Sequence, residues 1–287
     1  MAAPPACIIR HESDLGRWES VSRKPAESIG PSVRAYKGYV QGWAWPSRRR
    51  AVVTPDVALI VNFGSPLGLT DPRDRGGTVE YRSAFVAGPH DSYSLYEWTG
   101  DAHGVQVDLS PIGASLVLGV PMNELTNRVI ELEDVLGAWG RRLAERLHDA
   151  PGWEARFGLL DSVIAARLAE AVEPALGVVQ AWRLLEASGG QVSIRTLADE
   201  IDCSHEHLTR LFRHQLGLPP KTLARILRFD RVMHRLERGA GGPWTDIALD
   251  CGYYDQAHLI RDFHQFAGST PRQFLELRLP EGGGVAG

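Results

Sequence analysis

The spacing of apolar positions changes character part-way along the chain. Between about residues 33 and 120, hydrophobic residues come in short β-type runs punctuated by Gly and Pro; residues 57–63, 79–86 and 105–109 are the clearest. Many short strands at such spacing predict an all-β sandwich or small barrel. Residues 66–77 are polar and Gly-containing and predict an exposed loop. Residues 1–30 show little pattern and predict an arm without regular structure. From about residue 121 the period becomes helical. Leu136, Trp139, Leu143 and Leu147 fall at three- and four-residue steps. After Pro151-Gly152 the pattern repeats with Phe157, Leu160, Ile164 and Leu168. Two amphipathic helices joined by a short turn predict an antiparallel hairpin. Its apolar stripe predicts either a dimer surface or packing onto the β-rich part. The expected fold class is therefore α+β multidomain: a β-rich N-terminal domain ending in a helical hairpin, then an all-α domain. The boundaries read as an arm over 1–30, the β-rich domain over 31–174, the helical domain over 175–280 and a Gly-rich disordered tail over 281–287.

The helical domain contains an internal repeat. Ser204, His207, Leu208, Arg210, Phe212, Gly217 and Pro220 recur 51 positions later as Asp255, His258, Leu259, Arg261, Phe263, Gly268 and Pro271. Upstream, Leu197-Ala198 recurs as Ile247-Ala248 at an offset of 50, so the second turn is one residue longer. Two copies of one supersecondary unit follow. Each reads as helix, tight turn, helix, with Ser204 and Asp255 as N-caps and Gly217 ending the first second-position helix. Between the copies, residues 220–238 predict one long helix with Leu223, Ile226, Leu227, Val232 and Leu236 inward. About 18 residues at ~1.5 Å each make a rod of roughly 27 Å. That length can hold two reading helices near the ~34 Å separation of successive major grooves.

Charge sharpens this picture. The chain as a whole carries −4, but residues 204–238 hold eight basic side chains against three acids, a local surplus of five positive charges. Local fields, more than totals, steer a polyanion. Arg213 is the candidate phosphate contact. Cysteines number three and form no Cys-x-x-Cys pair, which predicts neither a disulfide scaffold nor a structural zinc site. No apolar run is long enough to span a membrane and the first residues do not read as a signal peptide. A cytoplasmic location is expected.

The residues from Ser204 to Arg213, the stretch Gly217 to Pro220, and Ile247-Ala248-x3-Gly252-Tyr253 running to Phe263-x4-Gly268-x2-Pro271 resemble the AraC/XylS family DNA-binding domain, over about residues 178–278. Tyr253 stands where the family commonly has Phe, and His264 where it commonly has Lys. The resemblance implies a sequence-specific transcription regulator whose partner is double-stranded DNA. It places base-reading positions on Glu206, Thr209 and Arg210 in the first motif and on Gln256, Ala257, Ile260 and Arg261 in the second. The N-terminal part more faintly resembles the β-rich front domains of such regulators, through Pro55-Asp56, Val86-Ala87-Gly88-Pro89 and Pro111-x-Gly113-Ala114. That likeness implies a small-molecule effector or a homodimer, with RNA polymerase as a further candidate partner.

Other chemistries find little support. His205 and His207 are two apart and point roughly 200° apart on a helix, so they cannot clamp one metal. No His-x-His with a following Glu, no Gly-x-Ser-x-Gly elbow and no phosphate loop is present. No enzyme, metal or cofactor is expected. The alternative reading is a β-rich enzyme or carbohydrate-binding module fused to a DNA-binding tail, which clustered titratable groups around a pocket would favour. Aromatic residues crowd the β-rich part, among them Tyr36, Tyr39, Trp45, Phe63, Phe85, Tyr93, Tyr96 and Trp98, and predict either an apolar effector pocket or ordinary core.

Overall fold

The computed structural model describes residues 6–13, 16–43, 47–74, 77–98, 100–239, 242–279 and 285–287. Among them, eleven strands form two antiparallel sheets. The strands are β1 (Cys7–Ser13), β2 (Gly16–Arg23), β3 (Val33–Trp43), β4 (Ser47–Ala51), β5 (Val57–Asn62), β6 (Leu67–Thr70), β7 (Glu80–Arg82), β8 (Ala84–Ala87), β9 (Ser94–Trp98), β10 (Ala102–Leu109) and β11 (Val129–Glu131). The large sheet runs β1-β2-β3-β10-β5-β8-β11 and the small one β4-β9-β6-β7.

Alternation along the strands sorts side chains between two faces of the large sheet. On one face Val21, Tyr36, Leu59, Val61, Val86, Val105 and Val107 are buried under helices. These are α1 (Pro111–Leu118), α2 (Leu132–Leu136), α3 (Ala138–Asp149) and α4 (Trp153–Ala169). Ser110 opens α1 by accepting from the Gly113 amide at 3.0 Å. Leu143 and Leu147 of α3 join Phe157, Leu160 and Ile164 of α4 in the same core as the sheet. The hairpin's apolar stripe is thus covered within the chain and offers no dimer surface there.

Three sequence expectations fail here. The exposed loop expected over 66–77 contains β6, with Leu67 and Thr70 buried. Residues 7–13 and 16–29 are no unstructured arm: β1 pairs with β2 from Cys7↔Ser22 to Ser13↔Gly16, and β2 pairs with β3. Asp161 of α4 then ties the segment down, accepting from the Ala26 amide at 2.9 Å and pairing with Arg23. The pattern hid β1 because both its faces are open, with Ile8 and Ile9 each more than 40% exposed. The tail also departs from expectation at its end. Arg50 donates its amide to the Val285 carbonyl at 2.9 Å and Gly287 to that of Arg48 at 3.0 Å, so residues 285–287 satisfy the edge of β4. The rest of the expected tail, 281–284, lies outside the described residues, as does Trp45.

The second layer of the molecule is helical: α5 (Leu176–Ala187), α6 (Ile194–Glu200), α7 (His205–Leu216), α8 (Pro220–Glu237), α9 (Trp244–Asp250), α10 (Gln256–Ala267) and α11 (Pro271–Leu277). One core unites them, and it includes Val53 from the β-rich part. The expected inward residues of α8, Leu223, Ile226, Leu227, Val232 and Leu236, are all buried, together with Phe229.

Candidate nucleic-acid interface and ligand cavity

Each copy of the repeat builds the same device. Leu197-Ala198 on α6 and Ile247-Ala248 on α9 are buried to within 4% and let the helices cross closely. Each turn closes on an equivalent bond, Cys203 amide to Ala198 carbonyl at 3.0 Å and Tyr253 amide to Ala248 carbonyl at 2.9 Å. Each turn passes through positive φ at matching positions, Asp202 (50°) and Gly252 (85°). The extra residue of the second turn is Tyr254, pushed 87% into solvent. Ser204 and Asp255 then cap α7 and α10, accepting from the His207 amide at 3.1 Å and the His258 amide at 2.7 Å.

The caps aim one face of each helix outward. On α7, Leu208, Phe212 and Leu216 are buried, whereas Glu206, Arg210 and Arg213 are exposed and Thr209 half-buried. On α10, Leu259, Phe263 and Phe266 are buried, whereas Gln256, Ala257, Arg261 and His264 are exposed and Ile260 half-buried. Arg210 Nη2 rests 2.7 Å from His207 Nδ1, and Thr209 donates to the His205 carbonyl at 2.9 Å. Beside α7, His205, Thr209, Arg213, Lys221 and Thr222 line a shallow groove of about 280 Å³ with the start of α8.

The basic surplus does not all face outward. Arg225 donates to Asp262 at 3.1 Å through Nε and to Gln265 Oε1 at 2.7 Å. Arg228 donates to the Gly190 carbonyl at 2.6 Å and lies over the Tyr253 ring; burial pushes its pKa down. Arg231 and Arg235 both bond Asp250, at 3.0 and 2.7 Å. Half of the eight basic residues therefore fasten α8 to its neighbours. Periodicity could not reveal this, because the partners lie 15 to 40 residues away.

The β-rich part grips the C-terminal ends of both reading helices. At α7, Thr126 Oγ1 donates to the Gly217 carbonyl at 2.8 Å, and a side chain at Gly217 would collide with Pro89. At α10, Arg50 bonds the Gly268 carbonyl at 2.8 Å and the Val53 amide bonds the Phe266 carbonyl at 3.0 Å. Gln265 Nε2 donates to the Asp91 carbonyl at 2.8 Å while its Oε1 holds Arg225.

Residues 50–56 and 88–93 make the bonds to α10, Pro89 packs on Gly217 where Thr126 bonds it, and both of these segments also border a cavity of about 410 Å³ between the sheets. Its walls come from alternate residues of five strands: Lys37, Tyr39 and Gln41; Ala58 and Ile60; Leu67 and Leu69; Phe85 and Ala87; Tyr96 and Trp98. Gln106 and Asp56 complete the polar end. There Lys37 pairs with Asp108 at 2.7 Å, and Gln106 donates to the other Asp108 oxygen at 2.6 Å. Burial raises the Asp56 pKa to about 7 against the pull of Arg34 at 3.6 Å. Of the aromatic residues singled out in the sequence, Tyr39, Phe85, Tyr96 and Trp98 reach the cavity, whereas Tyr36 belongs to the helix-covered core.

Fold and site define a DNA-binding domain built of tandem helix-turn-helix motifs. Residues 197–276 match the family described as "Helix-turn-helix domain", and residues 22–131 match a domain of unknown function, DUF6597. The C-terminal helix-turn-helix domain is of the AraC type. It is 32% identical over 97 residues to the bifunctional transcriptional activator/DNA repair enzyme Ada of Escherichia coli, covering 34% of this chain and 27% of that protein. The match thus spans about a quarter of that relative's length. Among solved structures, the chain is similar to ToxT from Vibrio cholerae (12% identity, 85% of this chain and 98% of that one, TM-score 0.49). It is similar also to the C-terminal domain of AraT from Geobacillus stearothermophilus (20% identity, 39% and 93%, TM-score 0.35). Among the described residues no helix is long and apolar enough to cross a membrane.

Proposed function

We propose that residues 175–280 read DNA with α7 and α10, and that a small molecule held by the β-rich part adjusts that reading. Glu206, Thr209 and Arg210 meet base edges in one major-groove segment, and Gln256, Ala257, Ile260 and Arg261 in the next. Arg213 and Lys221 meet phosphates beside the first. The single observation that carries the effector reading is the double duty of residues 50–56 and 88–93, which border the cavity on one side and, on the other, bond α10 and pack through Pro89 on Gly217 at the end of α7. A ligand that favours one arrangement of these segments shifts DNA affinity by its differential affinity for the two arrangements.

Footprinting on genomic fragments selected by the protein tests the DNA half. Two protected blocks roughly one helical turn apart (~10 bp) are expected for each protomer. Arg210→Ala should cost on the order of 1–3 kcal/mol and relax discrimination at one base position. A single protected block, with Arg210→Ala binding normally, overturns the tandem reading.

A further inference from the structure

A β-sandwich normally fills the space between its sheets with interdigitated apolar side chains. Here the filled core lies on the other face of the large sheet, under the helices. Among the described residues the apolar cluster buried between the sheets is small, Leu67, Phe85, Trp98 and Ala102, and beside it lies the cavity. A space of about 410 Å³ falls in the range of small-molecule sites. Its lining also leaves polar atoms without partners. Trp98 is 7% exposed and its Nε1 bonds nothing; Ser92 Oγ is likewise buried and unbonded. Tyr39 and Tyr96 are half-buried, with no hydroxyl hydrogen bond seen among the described residues, and burial raises both pKa values, that of Tyr96 to about 12. Buried polar groups are almost always bonded, so unbonded ones around a cavity ask for a bound partner.

The charges of the site decide what kind of partner. Lys37 is matched by Asp108 and Asp56 by Arg34, so each full charge near the polar end already has its counter-ion within the chain. An incoming anion would have to displace Asp108 from Lys37, and an incoming cation would have to displace Arg34 from Asp56. Displacing Asp108 breaks the part-buried pair with Lys37, and a second cation at Asp56 would sit beside the Arg34 guanidinium, which Glu186 also holds in place. The tyrosine and tryptophan edges, by contrast, offer hydrogen-bond donors at no such cost, and the rings of Tyr39, Phe85, Tyr96 and Trp98 offer flat apolar contact.

We infer that the cavity between the sheets takes an uncharged, planar ring compound bearing a hydrogen-bond acceptor, with Tyr39 and Tyr96 as its hydroxyl donors. The inference deepens the effector reading and rests on it for its link to DNA.

Three probes of one ring system separate the possibilities: indole-3-acetamide (uncharged), indole-3-acetate (anionic) and tryptamine (cationic). Titration calorimetry on the full chain at pH 7.5 should show the amide binding at least tenfold more tightly than either charged probe. Tyr39→Phe and Tyr96→Phe keep the ring volume and should each weaken the amide by about 3- to 10-fold, the scale of one hydrogen bond. Unchanged melting of the free variants shows that they fold. Absence of amide binding, equal or tighter binding of a charged probe, or an unweakened Tyr39→Phe/Tyr96→Phe double variant overturns the inference. Amide binding that leaves DNA affinity unchanged overturns the effector reading and leaves the ligand class standing.

Discussion

At the scale of single residues, Asp56 is a carboxylate held far from its ordinary state. Its folded pKa of about 7 lies well above the usual carboxylate range, chiefly because burial disfavours the charge. The folded chain then holds this proton more tightly than the unfolded chain does. The penalty on folding is absent below pH 4, grows between pH 4 and 7, and is complete above that window. Asp56→Asn removes it. The variant should gain on the order of 1–3 kcal/mol over the wild type at pH 8 and much less at pH 5. Thermal melts of both proteins at the two pH values check this, and an equal difference at both would show that Asp56 does not titrate there. Sequence alone gave Asp56 only as part of a Pro-Asp likeness, since its burial depends on β3 and β10, which bring up Lys37 and Asp108 from distant positions. The outward-facing residues of α7 and α10 were legible for the opposite reason. Helical period alone separates Arg210 and Arg261 from Phe212 and Phe263, and a cap residue sets where the period begins.

At the scale of elements, α8 shows how a basic helix can be read correctly in place and wrongly in purpose. Its length and inward residues follow from the period, yet its arginines, Arg225, Arg228, Arg231 and Arg235, all bond neighbouring segments, and the groove-facing cations are Lys221 and, on α7, Arg213. Arg213 and Lys221 face the groove beside α7, while Arg228 is committed to Gly190 and Tyr253. Arg213→Ala should lower the slope of log K against log salt by about one, weaken all DNA sequences alike and leave melting unchanged. Arg228→Ala should do the reverse. It should cost about 1–3 kcal/mol of stability, because the Gly190 carbonyl and the Tyr253 face lose their partner, with the salt slope intact. Paired melts and salt titrations of the two variants decide the matter. A slope change in Arg228→Ala without a stability loss would place that arginine on DNA instead. The strand β1 was the reverse case, regular in structure but without the alternation that a half-buried strand displays, because it is open on both faces.

At the scale of the whole molecule, the β-rich part acts as a second frame for the DNA-reading pair. The helix α8 and the shared core already fix α7 relative to α10, with Arg225 and Asp262 joining linker to reader. The chain from the Asp91 carbonyl through Gln265 to Arg225, and the bond from Thr126 to Gly217, then fasten both reading helices to one external body. Two readers so held should tolerate little change in the spacing of their target blocks. One inserted base pair turns the second block by roughly 34–36° and moves it about 3.4 Å, because ~10–10.5 bp make a turn. Full-length protein should therefore lose on the order of tenfold in affinity for an operator carrying one extra central base pair, the scale of one lost base contact. Combining Gln265→Ala and Arg50→Ala with Thr126→Val removes the side-chain bonds of both grips, leaving only backbone bonds such as Val53 to Phe266, without touching a residue proposed to face bases. That variant should bind the original operator nearly as well and should lose clearly less on the lengthened one. Competition binding with the two operators, at one salt concentration, measures both quantities. If wild type and variant lose the same factor, the rigidity of the pair comes from α8 and the shared core alone, and the grips serve only to attach the two parts of the chain.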